Sequence, residues 1–158
     1  MNEKHTISCL VENHFGVLAR VSGLISARAF NIDSLTVSTT EDPTISRMTI
    51  VVDADAVKLE QVKSQLNRLV DVIEVKELKE GGYLDREILL ARVTANGQTR
   101  GAIEMLAKRF GARVADASEQ SVVIEATGDT KTLDQLVEQL RAHQITKLVR
   151  TGRVALEK

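Results

Sequence analysis

The hydrophobic period of this chain runs through the same sequence of switches twice, and that repeat constrains the fold more than any other feature. His5 to Val11 alternates, which puts Ile7, Cys9 and Val11 on one face of a strand. Glu12-Asn13-His14-Phe15-Gly16 breaks the alternation. Val17, Val21, Leu24 and Ile25 then recur at helical spacing, with Arg20 and Arg28 elsewhere on the cylinder. Asn31 reads as a turn residue and Ile32 to Thr40 as a second strand. Glu41 to Thr44 holds Pro43, the chain's single proline, and reads as a turn before a third strand from Ile45 to Asp53. From Asp55 the period is helical through Leu59, Val62, Leu66 and Leu69, and Val72 to Leu78 returns to strand. The order is β-α-β-β-α-β.

Lys79-Glu80-Gly81-Gly82 is charged, then Gly-rich, and reads as a linker. The order then starts again. Glu87 to Thr94 is a strand, and Ile103, Leu106, Ala107 and Phe110 make an amphipathic helix that Gly111 stops. Ala112 to Ala117 and Val122 to Thr127 are strands. Asp129 or Thr130 caps a helix carried by Leu133, Leu136, Val137 and Leu140, and Ile145 to Leu156 holds the last strand or strands. The prediction is an α+β protein of two tandem ferredoxin-like βαββαβ domains, each a four-stranded antiparallel sheet with two helices on one face. The expected boundaries are 1–79, a linker at 80–85, and 86–158. Val51, Val123 and Val149 lie off the core faces. They predict a partly apolar bare side or edge, covered by the other domain or across a dimer.

Composition narrows the function classes. A formal charge of -1 offers no field for nucleic acid or an anionic membrane, and no helix-turn-helix pattern is present. One cysteine, Cys9, excludes a disulfide framework and suits a reducing compartment. The first residues show no apolar signal region, and no run approaches the ~20 apolar residues of a membrane helix. The expectation is a cytoplasmic protein.

Catalytic patterns are missing. His5, His14 and His143 fall in different elements without ligand spacing, so they read as solvated or half-buried side chains. Cys9, inside a strand on its apolar face, reads as core rather than nucleophile. Asp53 and Asp55 flank a strand-to-helix junction, where capping is the default and a magnesium site the weaker alternative. Asn96-Gly97-Gln98-Thr99-Arg100-Gly101 lacks the glycine pattern and Lys-Ser/Thr ending of a phosphate loop and reads as turn and cap. Lys147, Arg150 and Arg153 read either as a charged, solvated edge or as a docking surface. No catalytic and no metal-ligating residue is assigned.

One loop looks like a binding site. Gly16 lets the backbone take a left-handed turn or approach a ligand closely. The helix that follows opens with free N–H groups and partial positive charge, which suits a carboxylate. Asn13 offers a donor and an acceptor, enough to read an ammonium and a carboxylate together. The plainer alternatives are a tight βα turn for Gly16 and an Asx-turn or cap for Asn13.

Val11-Glu12-Asn13-His14-Phe15-Gly16-Val17-Leu18-Ala19-Arg20-Val21 resembles the opening of the ACT domains in regulatory subunits of acetohydroxyacid (acetolactate) synthase. Arg28 to Val37, Asp42 to Ile50, Leu66 to Val72 and Arg86 to Leu90 resemble later segments in the same order; the likeness is densest in the first half and looser after Ala112. The resemblance implies a non-catalytic small subunit that activates a catalytic large subunit and confers feedback inhibition by valine or another branched-chain amino acid. It implies an effector site between two ACT domains of a homodimer, with Asn13, Gly16 and Asn31 as contacts, Val17 and Leu18 as backbone donors and Ile32 as a wall. It implies no cofactor in this chain, with thiamine diphosphate, Mg and FAD on the catalytic partner. His14-Phe15 departs from the smaller or more polar residues of many relatives, so Phe15 either folds into the core or shapes the pocket. Two rival readings are a small enzyme in its own right and an ACT-type amino-acid sensor for a different metabolic enzyme or a transcription factor.

Overall fold

The computed structural model describes residues 3–27 and 30–158, so Arg28 lies outside the described residues. The chain divides into two compact units, residues 1–84 together with 153–158, and residues 85–152.

In the first unit, β1 (Glu3–Glu12), α1 (Val17–Ser26), β2 (Asn31–Thr39), β3 (Ile45–Ala54), α2 (Ala56–Leu66) and β4 (Val72–Leu78) follow the order that the periods predict. The sheet order is β2-β3-β1-β4. Its β1–β3, β1–β4 and β2–β3 pairs are all antiparallel. Alternation decides which face each side chain joins. Ile7, Cys9 and Val11 from β1 and Met48, Ile50 and Val52 from β3 are buried against Val17, Val21 and Ile25 of α1 and Leu59, Val62 and Leu66 of α2. Asp55 caps α2: its side chain accepts from the Lys58 N–H at 2.8 Å.

The helix-free face of this sheet is also closed. Thr6, Ser8, Thr49 and Val51 point there and are buried. The chain's own last segment lies on them, carrying β9 (Val154–Glu157). Arg153 Nη1 donates to Thr6 Oγ1 at 2.7 Å and to Tyr83 Oη at 3.0 Å, while Thr36 Oγ1 donates to the Arg153 carbonyl at 2.8 Å. Val51, expected on a bare apolar side, is buried within the chain. Arg153 is likewise engaged in this unit rather than in a solvated basic strand.

The second unit repeats the order with β5 (Tyr83–Thr94), α3 (Arg100–Arg109), β6 (Arg113–Ala117), β7 (Ser121–Gly128), α4 (Thr130–Arg141) and β8 (Ile145–Arg150). The sheet order is β6-β7-β5-β8, and β9 pairs with β5 off this path. β5 begins four residues before the predicted Glu87, inside the stretch read as linker. Leu89, Ala91 and Val93 of β5 pack on Ile103, Leu106, Leu133, Leu136 and Leu140. Asp129, rather than Thr130, caps α4, accepting from the Thr132 N–H at 2.8 Å. Asn96 Oδ1 accepts from the N–H groups of Gln98 and Thr99, so this loop is the turn and cap that its sequence suggests. Val149 stays exposed on β8, whereas Arg150 pairs with Glu87 at 2.6 Å and Asp134 at 2.5 Å.

Candidate effector site

The loop from Glu12 to Gly16 is held on both sides by main-chain bonds. The Glu12 N–H donates to the Asp71 carbonyl at 2.8 Å, and the Asn13 N–H donates to the Thr44 carbonyl at 2.7 Å. The first ties it to the α2–β4 connection and the second to the β2–β3 turn. Asn13 Nδ2 adds a bond to the Pro43 carbonyl at 2.8 Å, so half of its amide braces the turn and its Oδ1 remains as the other polar group. That turn is rigid in its own right. Asp42 Oδ1 accepts from both the N–H and the hydroxyl of Thr44, and these bonds hold its carboxyl below the usual carboxylate range.

Gly16 is the N-cap of α1 at φ 84°, in the left-handed region, and no side chain caps the helix. A Cβ there would lie 2.9 Å from Arg20 Nη1. Glycine is required twice over, for the backbone angle and for the guanidinium lying across it. The first turn of α1 carries no acidic residue, so its partial positive charge meets no carboxylate from its own helix. Val17 is buried in the core, Leu18 is 45% exposed, and Phe15 is 98% exposed at the tip. Phe15 therefore does not fold into the core.

His14, read from the sequence as a solvated or half-buried side chain, is half exposed and sits in a cluster. His14 Nε2 lies 3.0 Å from Glu12 Oε2 and 3.0 Å from Asp71 Oδ1. Its Nδ1 lies 3.3 Å from the Phe15 carbonyl, and Arg20 Nε donates to Asp71 Oδ2 at 2.7 Å. Asp71 is buried, and the Arg20 bond is the first cause that holds its carboxyl below the ordinary range. Asp71 sits in a short loop and carries no motif, so nothing local in the sequence signals it.

Asn31 and Ile32 do not meet this loop within one chain. Asn31 pairs opposite Asp53, Ile32 opposite Val52, while Thr39 pairs opposite Ser46 and Glu12 opposite Ile45. At about 3.3 Å per residue, that register separates Asn31 from Asn13 by roughly 25–30 Å along the sheet. Asn31 Nδ2 donates to Asp33 Oδ1 at 2.9 Å, and Asp33 in turn pairs with Lys4 at 2.9 Å.

Residues 7–74 match the family described as "AHAS small subunit-like ACT domain", and residues 86–158 match "Small subunit of acetolactate synthase". The chain belongs to the acetolactate synthase small-subunit family. It is 44% identical over 154 residues to the acetolactate synthase small subunit of Mycolicibacterium smegmatis, covering 98% of this chain and 91% of that one. It is 42% identical over 156 residues to that of Haemophilus influenzae, covering 98% and 96%. The crystal structure of the acetolactate synthase small subunit from Thermotoga maritima superposes with a TM-score of 0.89 at 32% identity, covering 99% of this chain and 98% of that chain. The tandem βαββαβ architecture is thus that of the family, and an ACT domain in a small subunit carries a regulatory role. Among the described residues no helix is long and apolar enough to cross a membrane.

Proposed function

We propose that this chain activates the catalytic large subunit of acetolactate synthase and makes it subject to feedback inhibition by a branched-chain amino acid, with valine as the first candidate. The observation that carries this reading is the uncapped N-terminus of α1 behind the left-handed Gly16, beside an exposed Phe15 and Leu18. The main-chain N–H groups of Val17 and Leu18 suit the effector's carboxylate, and the Oδ1 of Asn13 suits its ammonium. Thiamine diphosphate, Mg and FAD belong, in this reading, to the large subunit and not to this chain. Family membership favours this partner over a different metabolic enzyme and over an enzyme acting alone.

The effector site requires two copies. β2 is a nine-residue edge strand. Antiparallel pairing of two such edges in a symmetric dimer brings Asn31 of the partner subunit to the Thr39 end of this strand. That end holds the turn to which Asn13 is bonded. Asn31 and Ile32 then complete a seam site that one chain lacks. The effector stabilises one dimer arrangement and shifts activity only as far as it distinguishes that arrangement from the one the large subunit prefers. A coupling of about 1–3 kcal/mol is ordinary for such control.

The test is calorimetric titration of valine, together with activation of the large subunit, for the wild type, Asn13→Ala and Gly16→Asp. Weaker valine binding with activation retained is the expected result. Wild-type valine affinity in both variants removes the site assignment.

A further inference from the structure

We infer that Glu12, His14 and Asp71 form a divalent transition-metal site that staples the loop between β1 and α1 to the start of β4. The inference stands on the geometry of the cluster and does not depend on the effector reading. Glu12 Oε2, His14 Nε2 and Asp71 Oδ1 all lie within 4.8 Å of one another. His14 Nε2 lies 3.0 Å from each carboxylate oxygen, so small side-chain adjustments bring all three within the roughly 2.0–2.2 Å of zinc–nitrogen and zinc–oxygen bonds.

The surroundings prepare each ligand. The contact between His14 Nδ1 and the Phe15 carbonyl is a hydrogen bond only if Nδ1 carries a proton, since a carbonyl accepts and never donates. A proton on Nδ1 is the tautomer a metal at Nε2 requires, and the Phe15 carbonyl stands ready to accept it. In that tautomer three acceptors face one another, and a cation among them relieves their repulsion. Asp71 has its second oxygen fixed by Arg20 Nε at 2.7 Å, so Oδ1 is aimed by a bond outside the triangle. Glu12 is set by the register of β1, its N–H bonded to the Asp71 carbonyl at 2.8 Å. One imidazole and two carboxylates suit zinc, cobalt or manganese over magnesium or calcium, which prefer all-oxygen shells. The exposed side of Glu12 and His14 leaves further positions to water or an incoming ligand.

The other cation able to fill the triangle is a proton, giving an imidazolium bridging two carboxylates, and the experiment separates the two. Cobalt(II) is titrated into the full chain after chelator treatment, followed by visible absorption and calorimetry, and the zinc-loaded chain is studied by X-ray absorption. The expected result is one cobalt per chain with one nitrogen and at least two oxygen ligands. The affinity should fall by at least about tenfold in His14→Gln and in Glu12→Gln and stay unchanged in His143→Gln. The wild-type melting temperature should rise with zinc and return with chelator, a readout that needs no variant. No saturable uptake, or uptake equal in wild type and His14→Gln, overturns the site.

Discussion

Replacing Gly16 by alanine tests the local argument on which the effector loop rests. At φ 84° an L-residue with a Cβ costs roughly 1–2 kcal/mol, partly offset because alanine also narrows the unfolded ensemble, for a net loss of about 1 kcal/mol. The added Cβ also meets Arg20 Nη1 at 2.9 Å. The guanidinium is the end of a flexible side chain and can swing away, but doing so strains its 2.7 Å bond to Asp71 and deepens the loss. The readout is built into the chain. Cys9 is the single cysteine, it is fully buried in β1, and burial pushes its thiol up to about 12. A thiol reagent therefore labels it only when the first unit opens. A loss of about 1 kcal/mol raises the open population, and with it the labelling rate, about fivefold. It also lowers the unit's melting midpoint by roughly 4–8 °C. Gly16→Asn, which tolerates the left-handed region better, should label more slowly than Gly16→Ala. In an Arg20→Ala background only the backbone part of the Gly16→Ala cost should remain. Labelling of Gly16→Ala at or below the wild-type rate, or Gly16→Asn as damaging as Gly16→Ala, refutes the reasoning.

Three further outcomes follow from the geometry. Asp71 has a lowered carboxyl in the folded state, so its contribution is present above the ordinary carboxyl value of about 4 and is lost as pH falls through the folded one; Asp71→Asn should flatten the acid limb of Cys9 labelling below about pH 4. Deleting residues 153–158 removes the Arg153 bonds to Thr6 and Tyr83. It should destabilise the first unit by about 1.5–3 kcal/mol in urea, again read at Cys9. Asp129→Ala should cost about 1 kcal/mol through the lost α4 cap, visible as a lower midpoint of the second unit in amide exchange, with Cys9 labelling unchanged.

What the sequence made legible was local. The switch of period located the four helices of the described residues, and Val72–Leu78 and the start of α1 at Val17 emerge where the pattern put them. Gly111 ends α3 at φ 66°, as a glycine after an amphipathic run should. The Gly16 turn was legible for the same reason: a strand, a break, a glycine and a helical period are all contained in a dozen residues. What stayed hidden was the facing partner. Alternation assigns Thr6 and Ser8 to the side away from the helices, and polarity then suggests solvent. Both are buried: Arg153, nearly the whole chain away, donates to Thr6, and Arg47 of the neighbouring strand donates to Ser8. Asp71 is the same case in the site, a polar residue in a short loop that becomes a buried anchor because β1 pairs with β4 and brings it against Glu12. Periodicity tells which face a side chain joins and is silent on what covers that face. Register supplies the rest, and here it does so twice with opposite results. It gathers Glu12, His14 and Asp71 at one end of the sheet. It also carries Asn31 to the other end, away from Asn13, which is why the proposed effector site calls on a second copy of the chain.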